Sequence, residues 1–175
     1  MFRRSELVAL DVEDVAEQSQ GLVVTVRRSK VDQEGAGLVR AVPFGAIPET
    51  CPVRALRAWL EARITSGPLF RSVDRHGNVS AERTDGLTVA RVVKRAALAA
   101  GLDPERFSGH SLRLGFVTTA ARRGCSERAI ANQTGHRSML VLRRYIRRAN
   151  AFEENAAVAI LGSRASETSA AAPEV

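Results

Sequence analysis

Hydrophobic and polar positions along the chain predict helices around one small antiparallel sheet. Two β-rich runs, residues 21–26 and 38–43, flank a polar, glycine-containing segment at 31–37. Short apolar runs bounded by such a segment are typical of a hairpin. Residues 65–84 hold Gly-Pro and His-Gly-Asn sequences, and we expect a loop there.

Most of the remaining chain has helical spacing of its apolar residues. Pro52 sits at an acceptable first-turn position, and Gly124 and Ser126 are expected to end one helix and begin the next. The expected helices cover residues 4–9, 51–63, 86–100, 110–123, 126–134, 138–148 and 152–161. The fold class predicted is mainly α with a small antiparallel β-sheet (α+β).

The composition of the chain is typical of a globular protein. The chain has 175 residues with 45% hydrophobic content, which suits one globular domain. We find no membrane-spanning run and no signal peptide. Cys51 and Cys125 are isolated, without metal-ligand spacing. A reducing cytoplasm is the expected location.

Positive charge is concentrated in one part of the chain. Residues 106–148 carry ten arginines against one acid, so this segment has a net charge of +9 within a chain of +7 overall. Such a segment favours a polyanionic partner, although charge alone does not separate DNA from RNA.

Four residues within this segment are candidates for chemistry on a phosphodiester. His110 and Arg113 are three positions apart and share one helix face, near an N-terminus that favours an anion. His136 opens the following helix, and Tyr145, the only tyrosine, lies nine residues later. Arginines can neutralise a phosphate, histidines can move protons, and a phenol can form the covalent bond without metal.

This pattern resembles the catalytic domain of the tyrosine recombinases, the phage integrase family. Its members share a His-x-x-Arg element, a Leu/Thr-Gly-His element and a nucleophilic tyrosine nine residues after that histidine. The stretch 134–136 and Tyr145 match. An earlier family box resembles residues 2–7, where Arg3 aligns with a catalytic arginine and Glu6 with a supporting acid. Lys30 matches the family's hairpin lysine.

The resemblance implies a set of site residues and a reaction. Tyr145 attacks a phosphate of duplex DNA, giving a 3′-phosphotyrosyl link and a free 5′-hydroxyl that later reverses the attack. No metal or cofactor is expected. The expected catalytic residues are Arg3, Lys30, His110, Arg113, His136 and Tyr145, with Glu6 in support and Arg137, Arg143 and Arg144 binding DNA.

The resemblance also implies partners and a domain layout. Double-stranded DNA is the expected partner, with self-association into a tetrameric synapse, in the nucleoid of a bacterial cytoplasm. Residues 1–162 would form a catalytic domain lacking its first helix, and 163–175 a disordered tail. An N-terminal core-binding domain is absent from this sequence, and we expect recombination to be impaired as a result.

Three other interpretations stay open on the sequence. One is a catalytically silent DNA-binding remnant, favoured by the loss of the helix before Arg3. A relative of type IB topoisomerases would share the chemistry but relax supercoils, and the 134–136 element favours a recombinase over it. A generic arginine-rich RNA-binding domain lacks the expected aromatic stacking platform.

Overall fold

The structure is a computed structural model and describes residues 1–27, 37–62, 64–136 and 138–149. Its helices are α1 (Arg4–Val8), α2 (Pro52–Leu60), α3 (Gly86–Ala99), α4 (Gly109–Arg122), α5 (Glu127–Thr134) and α6 (Met139–Ala149). Its strands are β1 (Val15–Gln18), β2 (Gly21–Val26), β3 (Leu38–Pro43), β4 (Arg71–Val73) and β5 (Val79–Arg83).

The main sheet has three antiparallel strands in the order β1-β2-β3. The predicted pairing of residues 21–26 with 38–43 is confirmed, and Val24 lies opposite Arg40 in the register. Strand β1 was not predicted. It is short, and its last three residues are exposed, so it lacks the hydrophobic alternation that identifies a strand in a sequence.

The loop predicted over residues 65–84 is wrong. Strands β4 and β5 pair antiparallel within it. Their turn is closed by the Asp74 carboxylate, which accepts hydrogen bonds from the backbone N–H groups of His76 and Asn78 at 2.8 and 2.9 Å. Both strands are largely exposed. Backbone pairing and side-chain caps, rather than apolar periodicity, therefore make this hairpin.

Local capping determines where the later helices begin and end. Ser126 accepts a hydrogen bond from the backbone N–H of Ala129 at 3.2 Å and starts α5, as predicted. Gly124 follows α4 with φ of +73°, and Gly135 ends α5 with φ of +65°. Glycine adopts this left-handed conformation at little cost, so α4, α5 and α6 can fold back on one another. Helix α2 ends at Leu60, earlier than the predicted residue 63.

Two hydrophobic clusters form the core. One joins α1, the main sheet and α2 through Leu10, Leu22, Val24, Cys51, Val53 and Leu69. The other joins α4, α5 and α6 through Val117, Ala121, Ile130, Ala131 and Leu142, and Tyr145 packs against it. Helix α5 also contacts β3. The second cluster therefore meets the sheet at the carboxyl end of α5.

Some predictions fall on residues beyond this description. The hairpin turn over 31–36, the helix over 152–161 and the tail over 163–175 all lie outside the described residues. In the part of the chain that is described, every helix is too short or too polar to cross a membrane.

Candidate active site

Arg3 and Glu6 form the first side of the site. The backbone N–H of Arg3 donates to Glu6 Oε2 at 2.8 Å, and the Arg3 guanidinium pairs with the same carboxylate. Glu6 is buried, with 2% of its surface exposed. Arg3 Nη2 also donates to the carbonyl of Gly135 at 3.3 Å. The start of the chain is thereby attached to the end of α5.

Arg40 reaches the same point from strand β3. Its side chain is fully buried, and Nη2 lies 3.6 Å from Glu6 Oε2. Nη1 donates to the carbonyl of Gln133 at 2.5 Å and to that of Met1 at 3.2 Å. Burial lowers the pKa of Arg40 from its ordinary value. The charged Arg40 side chain is thus enclosed next to the site, where it contacts two carbonyl oxygens and the Glu6 carboxylate.

Arg113 belongs to the same cluster of charges. It lies on α4 with 7% of its surface exposed, and Nη1 donates to the Met1 carbonyl at 3.3 Å. Burial and the neighbouring Arg3 both lower the pKa of Arg113. Since Met1 accepts from both Arg40 and Arg113, the two guanidinium groups share one backbone oxygen.

His136 follows the left-handed turn at Gly135. Its Nδ1 lies 2.6 Å from the hydroxyl oxygen of Thr134, the last residue of α5. Burial lowers the pKa of His136 to about 4, with Arg113 the next largest cause. The His136 ring is therefore neutral at pH 7.

Tyr145 faces both histidines. Its ring centroid is 6.4 Å from that of His110 and 6.5 Å from that of His136. His110 is exposed near the start of α4, where Ser108 accepts from its backbone N–H at 3.2 Å. The half-buried phenol ring packs on the α4–α6 core. Five of the six predicted catalytic residues are thus brought together.

The remaining predicted residues lie elsewhere or outside the description. Lys30 and Arg137 are outside the described residues. Arg143 is exposed on α6 and pairs with Glu127 at 2.9 Å. Arg144 is exposed next to it. In the described ranges, no three His, Cys, Asp or Glu residues group together in a way that could hold a metal ion.

The site carries excess positive charge. Within the described part of the chain, the guanidinium groups of Arg3, Arg40 and Arg113 face one carboxylate, that of Glu6. Partly desolvated charges without a partner are costly, so such a cluster favours an anion between them. The chemistry available is anion binding by guanidinium groups, proton transfer at imidazole nitrogens and nucleophilic attack by a phenol.

Comparison with known proteins shows the family of this chain. The sequence profile of the phage integrase family matches residues 1–151. The chain belongs to the phage integrase family. Its identification as a family member from residues 2–7, 110–113 and 134–145 is thereby confirmed.

Known members of the family extend well beyond this chain. An integrase/recombinase XerD homolog of Selenomonas ruminantium is 42% identical over 156 residues, which are 89% of this chain and 46% of the relative. The chain thus spans less than half the length of that relative. The XerA recombinase structure is 25% identical with a TM-score of 0.61, over 87% of this chain and 52% of that one.

A second solved structure supports the fold. The XerH site-specific recombinase, bound to palindromic difH substrate in a post-cleavage complex, is 23% identical with a TM-score of 0.60. The likeness covers 89% of this chain and 41% of that one. With the XerA likeness, it confirms the predicted fold class of helices with small antiparallel sheets.

Arg40 and Thr134 were not among the predicted site residues. A signal for Arg40 exists in the sequence, because it occupies the inward position between Leu38 and Val42 in an alternating strand. A charge at a core-facing position indicates a buried partner. Thr134 was noticed only as part of a motif, and nothing in its type predicts contact with an imidazole.

Gly135 provides a test of how tightly this cluster is packed. A Cβ at Gly135 would lie 2.5 Å from Arg40 Nη2, whereas a Cβ at Gly124 would meet nothing within 4 Å. Both residues have positive φ. We expect Gly124→Ala to cost about 1 kcal/mol of unfolding free energy from backbone strain alone. Gly135→Ala should cost about 3 kcal/mol, because enclosed Arg40 must also move.

Urea denaturation of the two variants measures this difference. Gly124→Ala is the matched control, since it changes the same residue type at the same kind of helix end. Equal losses in the two variants would contradict close packing of Arg40 against Gly135.

Proposed function

We propose that this chain is the catalytic part of a site-specific DNA recombinase. The excess positive charge beside Tyr145 carries the proposal, because a buried cation cluster next to a phenol suits a bound phosphodiester. Family membership and the named recombinase relatives support it. Double-stranded DNA is the proposed substrate.

In the proposed reaction, the Tyr145 oxygen forms a bond to phosphorus as the bond from phosphorus to the 5′-oxygen breaks. Arg3 and Arg113 hold the non-bridging oxygens, where charge builds up. His136 donates a hydrogen bond to the same phosphate. His110 accepts the phenol proton, and Lys30 protonates the leaving 5′-oxygen. Attack by another 5′-hydroxyl reverses these steps and rejoins the strands without ATP.

Glu6 and Arg40 position the residues that are proposed to bind the phosphate. Glu6 holds Arg3 by two hydrogen bonds, through the backbone and the guanidinium. Arg40 links that carboxylate to the carbonyl of Gln133 near the end of α5. We propose that this network holds the side chains of Arg3 and His136 close to that of Arg113.

Assembly on DNA is a further part of the proposal. Strand exchange between two duplexes needs several active sites, so we propose a tetramer on DNA. We propose that strand exchange takes place on nucleoid DNA in a bacterial cytoplasm.

The proposal is tested with the full chain and a pool of nicked duplexes of randomised sequence. A nick next to the cleavage point lets the 5′-hydroxyl fragment leave, so the covalent intermediate accumulates. We expect an adduct that survives denaturing detergent, and sequencing of its DNA to reveal the preferred site. DNA binding without any adduct would instead support the silent remnant.

Strand transfer separates the two enzymatic interpretations. After the adduct has formed, a second duplex with a free 5′-hydroxyl end is added. A recombinase joins the two DNAs. Relaxation of a supercoiled plasmid lacking the selected site would favour the topoisomerase-like alternative.

Binding to duplex DNA should depend steeply on salt. Each phosphate contact neutralised by an arginine lowers the slope of log affinity against log salt by about 0.9. We expect Arg144→Gln to lose one such contact, since Arg144 is exposed on α6. Fluorescence anisotropy at several salt concentrations measures the slope.

A charge-conserving control distinguishes Arg144 from its neighbour. Arg143 already pairs with Glu127, so Glu127→Gln with Arg143→Gln keeps the net charge of that surface. This double variant should bind with an unchanged slope. If the slope of the double variant changes as much as that of Arg144→Gln, Arg143 also contacts a phosphate despite its pair with Glu127.

A further inference from the structure

Thr134 makes two short contacts through one hydroxyl group. The residue is fully buried. Its Oγ1 lies 2.6 Å from the carbonyl oxygen of Ile130 and 2.6 Å from His136 Nδ1. A hydroxyl has one proton to donate, and a carbonyl oxygen can only accept. The hydroxyl proton is therefore committed to Ile130.

The proton of the second contact must then come from the histidine. With its own proton on Ile130, Thr134 Oγ1 can only accept from Nδ1–H. A neutral imidazole carries one N–H, and the hydrogen bond made by one ring nitrogen sets the state of the other. Neutral His136 therefore has a lone pair on Nε2 and no proton to donate there.

We propose that Thr134 is a positioning residue that holds His136 as its Nδ1–H tautomer, so that His136 donates to a phosphate only after taking up a proton. The proposal rests on the proposed function, in which this site receives a DNA phosphate. It couples phosphate binding to proton uptake by His136, so that each favours the other.

The charges around His136 are consistent with this coupling. Among the described residues, the charged and titratable groups around the site are the Met1 amine, Arg3 and Glu6 near α1, Arg40 on β3, His110 and Arg113 on α4, and Tyr145 on α6. Burial and the nearby arginines lower the pKa of His136 to about 4. An anion among the same arginines offsets their repulsion and favours the imidazolium.

A serine and a valine at position 134 form a matched pair. Thr134→Ser keeps the hydroxyl, and Thr134→Val keeps the branched shape without it. The chain has three histidines, so ring nitrogen signals of the full-length protein in nitrogen-15 NMR are assigned by His76→Gln and His110→Gln variants. Wild type and Thr134→Ser should show a protonated Nδ1 and an unprotonated Nε2 in neutral His136.

Thr134→Val should shift His136 toward the Nε2–H form, because the acceptor at Nδ1 is gone. A neutral ring in wild type with its proton on Nε2 overturns the proposal, whether or not Thr134→Val folds. An unchanged tautomer in folded Thr134→Val also overturns it.

Sulfate then probes the coupling without DNA. It is a tetrahedral oxyanion that does not itself titrate near neutral pH. In wild type and Thr134→Ser, sulfate should raise the proton affinity of His136 about tenfold or more. In Thr134→Val the rise should be smaller, because the neutral ring already donates through Nε2. Equal rises in all three, or none in wild type, overturn the coupling. Failure of the proposed function appears separately, as absence of the covalent DNA adduct.

Discussion

Tyr145→Phe should abolish the covalent DNA adduct. The change removes the attacking oxygen and keeps the ring, which packs on the α4–α6 core. Loss of a nucleophile costs catalysis by a factor of about 10⁴ or more. The adduct should fall below detection in the nicked-duplex assay, while affinity for duplex DNA stays close to that of wild type.

The chain itself offers an internal check on this result. Tyr145 is the only tyrosine, so phosphotyrosine recovered after acid hydrolysis of a labelled adduct can come only from this residue. Label recovered as phosphoserine, or adduct persisting in Tyr145→Phe, would assign the nucleophile elsewhere.

Arg40→Met should destabilise the protein far more than an exposed arginine would. Removing Arg40 takes one of two donors from each of the carbonyls of Met1 and Gln133, and one of two cations from buried Glu6. Loss of one partner of a buried pair costs about 3–5 kcal/mol. We expect a loss of that size in the free energy of unfolding, measured by urea denaturation.

Arg57→Met is the matched control for this change. Arg57 pairs with Glu17 at the surface, where both side chains are about half exposed. Such pairs contribute at most about 1 kcal/mol. If the two variants lose equal stability, Arg40 is not the anchor that its contacts indicate.

The parts of the site that follow from local spacing were predictable from the sequence. His110 and Arg113 share a helix face because they are three residues apart, and Ser126 and Gly124 separate α4 from α5 by capping. His136 then lies just after α5, and Tyr145 lies on α6.

Contacts between distant segments were less predictable. Arg40 was missed because an arginine in a strand is ordinarily solvated, and only tertiary packing encloses it. The β4–β5 hairpin was missed because backbone and side-chain hydrogen bonds stabilise it without an apolar face. The Thr134–His136 contact depends on the left-handed turn at Gly135, which bends the chain back on itself.

The hydrogen bond from Arg3 to Gly135 also constrains when the proposed phosphate site can be completed during synthesis. These residues are 132 positions apart in the chain, and Tyr145 lies still further along. During synthesis, Arg3 and Arg40 cannot reach their carbonyl partners at the end of α5 until α5 has left the ribosome, and Tyr145 follows later. Under the proposed reaction, a growing or prematurely terminated chain therefore has cations for a phosphate but lacks the attacking phenol. Contacts of such long range also form late and slowly in folding.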